Sequence, residues 1–131
     1  MTAQALDSPA FDIESVVKRS EGARFTFEYN CHLRRLFPWP NIADTKKPTT
    51  ELGLIWVVVD ERMEIQGHAH DEEESFVIVS GKAVLGLKGQ ETELRPGDVA
   101  YIPRSWFHTM KNPGDEKLVY IDLYWGLGQQ Q

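Results

Sequence analysis

The sequence is short of cysteine, of basic residues and of long apolar runs. Cys31 is the only cysteine, so an internal disulfide is excluded and a reducing compartment, the cytoplasm, is expected. The longest unbroken apolar run, Leu54–Val59, is far shorter than the roughly 20 residues that a membrane span needs. The N-terminus has no basic segment followed by an apolar stretch, so a secretory signal is not expected.

The charge balance is acidic. Lys and Arg number 14 against 20 Asp and Glu, which gives a formal net charge of −6 with neutral histidine. Nucleic acids and anionic membrane surfaces select for basic patches, so neither is expected as a partner. A length of 131 residues, 41% of them hydrophobic, predicts one folded domain with a real core.

The first fifty residues differ in character from the rest. Residues 1–10 have the composition of a chain-terminal tail. Asp12 is placed to cap a short helix that ends near Gly22. Beyond it, Phe25, Phe27 and Tyr29 alternate with polar residues, which predicts a strand.

A proline-containing loop is predicted from Phe37 to Thr50. Its prolines remove backbone donors and exclude a central strand or a helix. Large apolar side chains recur around it: Phe25, Phe27, Leu36, Phe37 and Trp39. Because this composition is too apolar for a free tail, we predict that residues 23–50 pack on the rest of the chain or on a second subunit, giving a homodimer.

From Leu54 onward, short β-rich segments alternate with glycine and proline turns. The predicted segments are Leu54–Asp60, Phe76–Ser80, Lys82–Lys88, Val99–Ile102, Phe107–Met110 and Lys117–Trp125. Pro96 and Gly97 fit the two central positions of a type II turn, where Gly97 supplies the positive φ. Trp56 is expected in the core. Many short strands without a helical period predict a sandwich or barrel.

Three of the four histidines are candidates for one site. In a strand, residues i and i+2 share a face, so His68 and His70 would project together. His108 follows in a later strand, and Glu74 ends the acidic run that begins at Asp71. Three imidazoles and one carboxylate suit a divalent ion of the iron, manganese, nickel, copper or zinc group.

At these positions the sequence resembles the cupin superfamily. The first cupin motif, G-x5-H-x-H-x3,4-E-x6-G, is matched by His68, His70, Glu74 and Gly81. The second, G-x5-P-x-G-x2-H-x3-N, is matched by Gly97, Pro103, His108 and Asn112. The leading glycine of the first motif is Arg62 here, and the glycine after Pro103 is Ser105. Both departures fall on turns and put local turn geometry in question more than metal binding.

The resemblance implies an all-β fold, a single cupin jelly-roll β-barrel over 53–126 with an N-terminal arm at 1–52 and a tail at 127–131. It also implies one divalent metal inside the barrel, held by His68, His70, Glu74 and His108. The six-residue spacing to Gly81 selects Glu74, so the acids from Asp71 to Glu73 are expected on a solvated face. Fe(II) is the favoured ion, with Mn, Ni, Zn and Cu as alternatives.

Strand parity supplies further candidates. Trp106 and Met110 share the parity of His108 and are predicted to contact substrate from the lumen face. Tyr120 and Asp122 share a face of the last strand, where they would position substrate or move protons. The alternative is that the face shared by Tyr120 and Asp122 is solvated or forms an oligomer contact.

Arg34 lies beside the aromatic loop and is a candidate for anion recognition, with packing across a dimer as the alternative. The resemblance implies a metal-dependent enzyme acting on a small anionic or chelating molecule. Our first expectation is a mononuclear non-haem iron dioxygenase. A lyase, decarboxylase or isomerase of cupin type and a non-catalytic small-molecule-binding cupin are the alternatives.

Overall fold

The computed structural model describes residues 10–36 and 50–126, which are mostly β-strand. A 3₁₀ turn at Ile13–Val16 precedes eleven strands: β1 (Val17–Lys18), β2 (Thr26–Glu28), β3 (Cys31–Leu33), β4 (Thr50–Val59), β5 (Glu64–His68), β6 (Glu73–Ser80), β7 (Ala83–Leu87), β8 (Gln90–Leu94), β9 (Val99–Ile102), β10 (His108–Lys111) and β11 (Leu118–Gly126). The predicted loop after Leu36 and both chain ends lie outside the described residues. In the described part of the chain, no helix has the length and apolar character needed to cross a bilayer.

Two antiparallel sheets form the jelly-roll barrel that the resemblance implies. The five-stranded sheet has the order β1-β9-β6-β11-β4, and the four-stranded sheet has the order β5-β10-β7-β8. The hairpin β2–β3 forms a separate two-stranded sheet. The core between the two large sheets is closely filled, and its fully buried side chains include Ile78, Leu85, Leu94, Ile102 and Met110.

All six predicted β segments are strands in the structure, with ends that differ by a few residues. Val99–Ile102 has the predicted bounds, whereas the first segment is longer and begins at Thr50. That strand therefore crosses the predicted boundary between the arm and the barrel. β1 is also part of the barrel, because Val17 pairs with Ala100 of β9. The arm thus contributes a strand to the five-stranded sheet.

The helix predicted after Asp12 is wrong beyond its first turn. The Asp12 carboxylate does cap the turn, accepting a hydrogen bond from the Glu14 backbone N–H at 3.0 Å. The chain then becomes extended at Val17. Val16 is fully buried and Val17 joins the sheet edge, so burial and pairing outweigh the helical pattern.

The expectation that Trp56 belongs to the core is wrong. Its side chain is 62% exposed, because it lies on the outward face of β4, the last strand of its sheet within residues 10–36 and 50–126. The inward positions alternate with it, and Val57 faces the barrel interior.

The two turns that lack the family's glycine keep the backbone conformation that glycine favours. Arg62 has a φ of 62° and Ser105 a φ of 69°, both in the left-handed region. Gly97 has a φ of 87°, as the predicted type II turn requires. The departures in sequence therefore leave the turn geometry in place.

Asn112 connects two turns at one end of the barrel. Its side-chain amide donates to the carbonyls of Val59, Asp60 and Glu116 at 3.1, 3.2 and 2.8 Å. Its side-chain oxygen accepts from the backbone N–H of Gly114 at 3.0 Å. These bonds hold the turn after β4 against the turn after β10, so Asn112 is a structural residue of the second motif.

Candidate metal centre

His68 and His108 face each other across two paired strands. They are register partners in the antiparallel pair β5–β10, and their ring centroids lie 4.7 Å apart. The next paired positions are Ile65 and Met110, so β5 has one more residue than β10 in this interval. This β-bulge changes the strand parity, which lets both Ile65 and His68 line the interior cavity.

His70 reaches the same place from beyond the end of β5. Because β5 ends at His68, strand parity is not what brings the two imidazoles together, and that part of the sequence argument is wrong. The carbonyl of His70 instead accepts a hydrogen bond from the Ser105 N–H at 2.9 Å, which ties its loop to the turn before β10. One possible ligand atom from each of His68, His70 and His108 lies within 4.8 Å of the others.

Backbone carbonyls orient two of the three imidazoles. Nδ1 of His68 lies 2.8 Å from the carbonyl oxygen of Gln66, and Nδ1 of His108 lies 2.9 Å from that of Trp106. A carbonyl oxygen only accepts, so each Nδ1 carries the proton. In the neutral imidazole, Nε2 then holds a lone pair, which is the form that a metal ion requires.

Glu74 places a buried oxygen against two of these rings. Its Oε1 lies 3.0 Å from Nε2 of His70 and 3.2 Å from Nε2 of His108. Within the described residues, Oε1 of Glu74 and Nε2 of His108 are buried without a hydrogen-bond partner of acceptable geometry. A carboxylate oxygen facing an imidazole lone pair is unfavourable unless a cation lies between or beside them. The donor set therefore fits a divalent transition metal, as the sequence predicted.

The carboxyl groups of Glu74 and Asp122 meet at this centre, and their pKa values are shifted in opposite directions. Burial acts to raise the pKa of the Glu74 carboxyl, but the neighbouring imidazoles of His108 and His70 and a hydrogen bond with Asp122 hold that pKa below its usual range. For Asp122, burial raises the pKa to about 8, and hydrogen bonding to Glu74 and its negative charge act in the same direction. The surroundings therefore favour the proton on Asp122 over Glu74.

An interior cavity of about 140 Å³ adjoins the cluster. It is lined by Val57, Ile65, His68, Glu74, Phe76, His108, Met110, Tyr120 and Asp122. Met110 thus faces the lumen, as strand parity predicts. Tyr120 and Asp122 face it too, on a side of the last strand that the sequence left open, and the roles of all three toward substrate stay predictions. Burial also raises the pKa of the Tyr120 phenol above its usual range, and the negative charges of Asp122 and Glu74 reinforce the effect.

Apart from Met110, sequence reasoning missed the apolar wall of this cavity. Val57 faces Tyr120 across the β4–β11 pair, and Phe76 faces Asp122 across the β6–β11 pair. These neighbours follow from the strand register, which no motif encodes. The alternation within β4 and β6 was a usable signal only once their pairing with β11 was known.

Trp106 and Arg34 are not among the residues that line the cavity. β10 begins only at His108, so its parity does not extend to Trp106. The indole instead packs edge-on against Phe11, with ring centroids 5.3 Å apart, and Lys88 Nζ lies 4.2 Å from its ring centroid. Arg34 lies close enough to Lys18 of β1 for its charge to add to burial in lowering the pKa of that lysine. Their predicted contact with substrate finds no support in this placement.

Glu73 was expected on a solvated face, but it is buried and only 1% exposed. It points out of the barrel, opposite to Glu74, and accepts hydrogen bonds from the Tyr101 hydroxyl and, at 2.9 Å, from Nε1 of Trp125. These donors compensate the burial of the carboxylate. The neighbouring Glu73 and Glu74 therefore serve different faces of the same sheet.

A sequence model of the cupin domain family matches residues 55–124, which is slightly more than half of the chain. The chain belongs to the cupin family. The match extends from β4 into β11 and includes every residue of the candidate metal centre.

Known relatives of this cupin differ in activity. It is 36% identical over 67 residues to a glucose-6-phosphate isomerase of Pyrococcus abyssi, a match that covers 45% of this chain and 35% of the relative. The chain thus spans about a third of the length of such isomerases. Among solved structures, a cupin 2 conserved barrel domain protein of Salinispora arenicola is 27% identical, with a TM-score of 0.55, over 82% of this chain and 86% of that one.

A second solved structure concerns the Mn(II) centres of oxalate decarboxylase from Bacillus subtilis. It is 26% identical to this cupin, with a TM-score of 0.53, over 61% of this chain and 23% of that one. The shared fold therefore includes an enzyme with manganese centres.

Proposed function

We propose that this cupin is a metal-dependent enzyme that moves a proton on a small anionic, chelating organic molecule, in an isomerase, lyase or decarboxylase reaction. The observation that carries the proposal is the position of Asp122. Its carboxyl group lines the same cavity as His68, His108 and Glu74, and burial there raises its pKa to about 8. A buried acid next to a metal-ligand set is the arrangement that proton transfer requires.

The charge of the centre indicates the substrate class. A divalent ion with three neutral imidazoles and one carboxylate retains about one positive charge, so His68, His70, His108 and Glu74 would hold an ion that favours an anionic, bidentate ligand. Such an ion supplies Lewis-acid stabilisation of an enolate-like or enediolate-like anion. Hydroxy acids, keto acids and phosphorylated sugars are therefore the proposed classes of substrate.

The chain's own residues would perform the remaining steps. Asp122 donates its proton to the carbon or oxygen of the bound anion and takes one back as turnover is completed. The Tyr120 phenol stays protonated because burial raises its pKa, so it can donate a hydrogen bond to a negatively charged oxygen. Val57, Ile65, Phe76 and Met110 form the apolar wall that limits water around the reacting group.

The similarity to a glucose-6-phosphate isomerase and to an oxalate decarboxylase supports this choice. Isomerisation of a sugar phosphate moves a proton between neighbouring carbons, and decarboxylation ends with protonation of carbon. Both reactions need an acid beside a stabilised anion.

The iron-dependent dioxygenase expected from the sequence is the second candidate. Its support is the three-histidine group itself, since His68, His70 and His108 converge without Glu74 as a necessary member. In that case Glu74 would serve mainly to hold His70 and His108, the two rings that its Oε1 contacts.

One experiment separates the two candidates. Protein loaded anaerobically with Fe(II), Mn(II), Ni(II), Zn(II) or Cu(II) is incubated in D₂O with small hydroxy acids, keto acids and sugar phosphates. Deuterium incorporation is followed by NMR, and oxygen uptake is followed after admission of air. The proposal expects exchange at a carbon-bound position without oxygen uptake, and at least a 100-fold loss of exchange in Asp122→Asn with the metal retained. Oxygen uptake without exchange would support the dioxygenase, and tight binding without either reaction would support a binding protein.

A further inference from the structure

The cavity beside the histidine cluster changes character with depth. Phe76 follows Glu74 on the inward face of β6, and both line the cavity. In the same way, Met110 follows His108 on the inward face of β10. Two residues of a strand span about 7 Å, so an apolar layer begins one step below the candidate metal ligands. Val57 lines the same cavity from β4 and extends this layer.

Asp122 lies between the candidate metal ligands and the apolar layer. It is the register partner of Phe76, and its carboxyl group hydrogen-bonds with that of Glu74. A molecule held at the histidine cluster would therefore present to Asp122 the carbon next to its chelating group, and any chain beyond that carbon would enter the apolar layer. Ile78 follows Phe76 on the inward face of β6, but it is 2% exposed and is not among the residues that line the cavity, so the space ends at that depth.

The described residues that line the cavity include no lysine and no arginine. Negative charge reaches it from outside as well, because the charge of Glu72 acts on Asp122. Arg104, in the loop before β10, pairs with Asp71 at 3.1 Å. Phosphate groups are held by basic side chains or by helix N-termini. The described part of the site therefore lacks what a sugar phosphate needs.

The deep end of the cavity also opposes a charged group. Tyr120 lines it, and burial together with the negative charges of Asp122 and Glu74 raises the pKa of its phenol above the usual range. Surroundings that disfavour a phenolate also disfavour a carboxylate at the far end of a substrate. The single O–H of Tyr120 does not compensate the burial of such a carboxylate, and Val57 and Phe76 offer only apolar contact.

We propose that the substrate is a 2-oxo acid with a short, uncharged aliphatic chain, and that Val57, Phe76 and Met110 select this chain. The inference rests on the proposed function and narrows it. The carboxylate and the 2-oxo group together form the bidentate anion that the charge of the centre favours, and the protons on C3 are acidic because the carbonyl shares the resulting charge.

The size of the cavity limits the length of the chain. Its volume of about 140 Å³ is close to that of an apolar cavity of about 150 Å³ that accommodates a benzene molecule. There is thus room for about six non-hydrogen atoms, which limits the acid to roughly five or six carbons.

The test titrates a series of ligands into the full-length protein loaded with Zn(II), by isothermal titration calorimetry. The series is pyruvate, 2-oxobutanoate, 2-oxopentanoate, 2-oxoglutarate and glucose 6-phosphate. We expect the affinity to rise about fourfold with each methylene group from pyruvate to 2-oxopentanoate. 2-Oxoglutarate has the same carbon chain as 2-oxopentanoate and adds only a terminal carboxylate. It and glucose 6-phosphate should each bind at least about 100-fold more weakly than 2-oxopentanoate.

Two variants on opposite faces of β4 test the selecting residues. Val57→Phe fills the deep part of the cavity, and Val58→Phe is the matched control, because Val58 points outward and is 48% exposed. Val57→Phe should weaken the binding of 2-oxopentanoate at least about tenfold and change that of pyruvate by less than about threefold. Val58→Phe should change neither. Circular dichroism checks that both variants fold, and if Val57→Phe does not, the ligand series on the wild type decides.

Deuterium exchange at C3 of 2-oxopentanoate, followed by NMR in D₂O, tests the reaction separately from binding. In this exchange the C3–H bond breaks, its proton passes to the Asp122 carboxylate, and the electron pair forms an enolate with the charge on the 2-oxo oxygen. A deuteron from the solvent then forms the new bond to C3 and restores the 2-oxo acid.

Selective binding of 2-oxopentanoate without exchange would support the substrate class and reject the proposed reaction. Binding of 2-oxoglutarate or glucose 6-phosphate as tightly as 2-oxopentanoate would overturn the substrate class, even if exchange is observed. An affinity that does not change with chain length, equal effects of Val57→Phe and Val58→Phe, or no binding of any of these acids would overturn it as well.

Discussion

His68 and His108 are register partners across β5 and β10, and both side chains line the interior cavity. Their Nδ1 atoms are both held by carbonyls two residues earlier in the chain. Backbone carbonyls therefore preorganise two of the three imidazoles, and we expect the metal affinity to depend on each imidazole individually.

Replacement of any one of the three clustered histidines by alanine should reduce bound metal at least tenfold. Each removes one of the ligand atoms that converge within 4.8 Å. His32→Ala is the matched control, because His32 is exposed on β3 and packs against Phe27. Elemental analysis after loading and desalting gives the metal content. Full metal in His68→Ala, His70→Ala and His108→Ala would contradict the assignment, as would an equal loss in His32→Ala.

Asp122→Asn should stabilise the metal-free protein, and by more at pH 8 than at pH 5. The pKa of Asp122 is about 8 in the folded protein against an ordinary value of 3.8, so the folded state binds more protons than the unfolded state between these limits. Stability contributed by this group therefore falls as the pH rises through that window, and asparagine removes the cost of ionising a buried carboxyl.

Urea unfolding of chelator-treated protein at pH 5, 7 and 8 measures this effect. Asp115→Asn is the control, because its side chain is exposed and pairs with Arg62 at the surface. It should change the free energy of unfolding by a similar small amount at all three pH values. An Asp122→Asn effect that does not grow with pH would show that Asp122 is ionised at neutral pH and would remove its role as an acid.

Most of the barrel could be predicted from the sequence because its strands are short, apolar and bounded by glycine or proline. β8 was missed because Gln90–Leu94 contains a single apolar residue and lies directly after the Lys88–Gly89 turn. Trp56 was misplaced for a different reason: within β4 both faces are apolar, so alternation gives no signal for which side faces inward. Only the register with β11 settles this.

The candidate metal ligands were predicted by motif spacing and not by local geometry. The argument that His68 and His70 share a strand face was wrong, yet the residues meet because the Ser105 N–H holds the His70 carbonyl. The apolar cavity wall depends on cross-strand neighbours, and so do the opposite orientations of Glu73 and Glu74. Trp125 and Asp122 are two of these neighbours. Such neighbours are set by register and bulges, which a single sequence does not display.

Ser105→Gly should stabilise the protein by about 0.5–1 kcal/mol. The left-handed φ of 69° costs a residue with a Cβ roughly 1–2 kcal/mol, which glycine avoids. The greater conformational freedom of glycine in the unfolded chain offsets about 0.5–1 kcal/mol of this gain. The Ser105 N–H bond to His70 is a backbone bond and is retained. Ser105→Ala keeps the Cβ and serves as the control. A glycine variant no more stable than the alanine variant would show that the left-handed backbone is not strained, and an alanine variant less stable than the wild type would show that the serine side chain compensates the strain.

Asn112→Ala should destabilise the protein by about 3 kcal/mol, because the buried amide is the donor to three backbone carbonyls that would lose this partner. The loss should appear as a lower midpoint of urea unfolding. Glu116→Ala is the matched control. The backbone carbonyl of Glu116 accepts one of these hydrogen bonds, and this bond is retained when only the exposed side chain is replaced. Since the turns that Asn112 joins lie away from the histidine cluster, folded Asn112→Ala should still bind metal. A midpoint within error of the wild type would show that water replaces the asparagine at no cost, and that its place in the motif does not reflect stability.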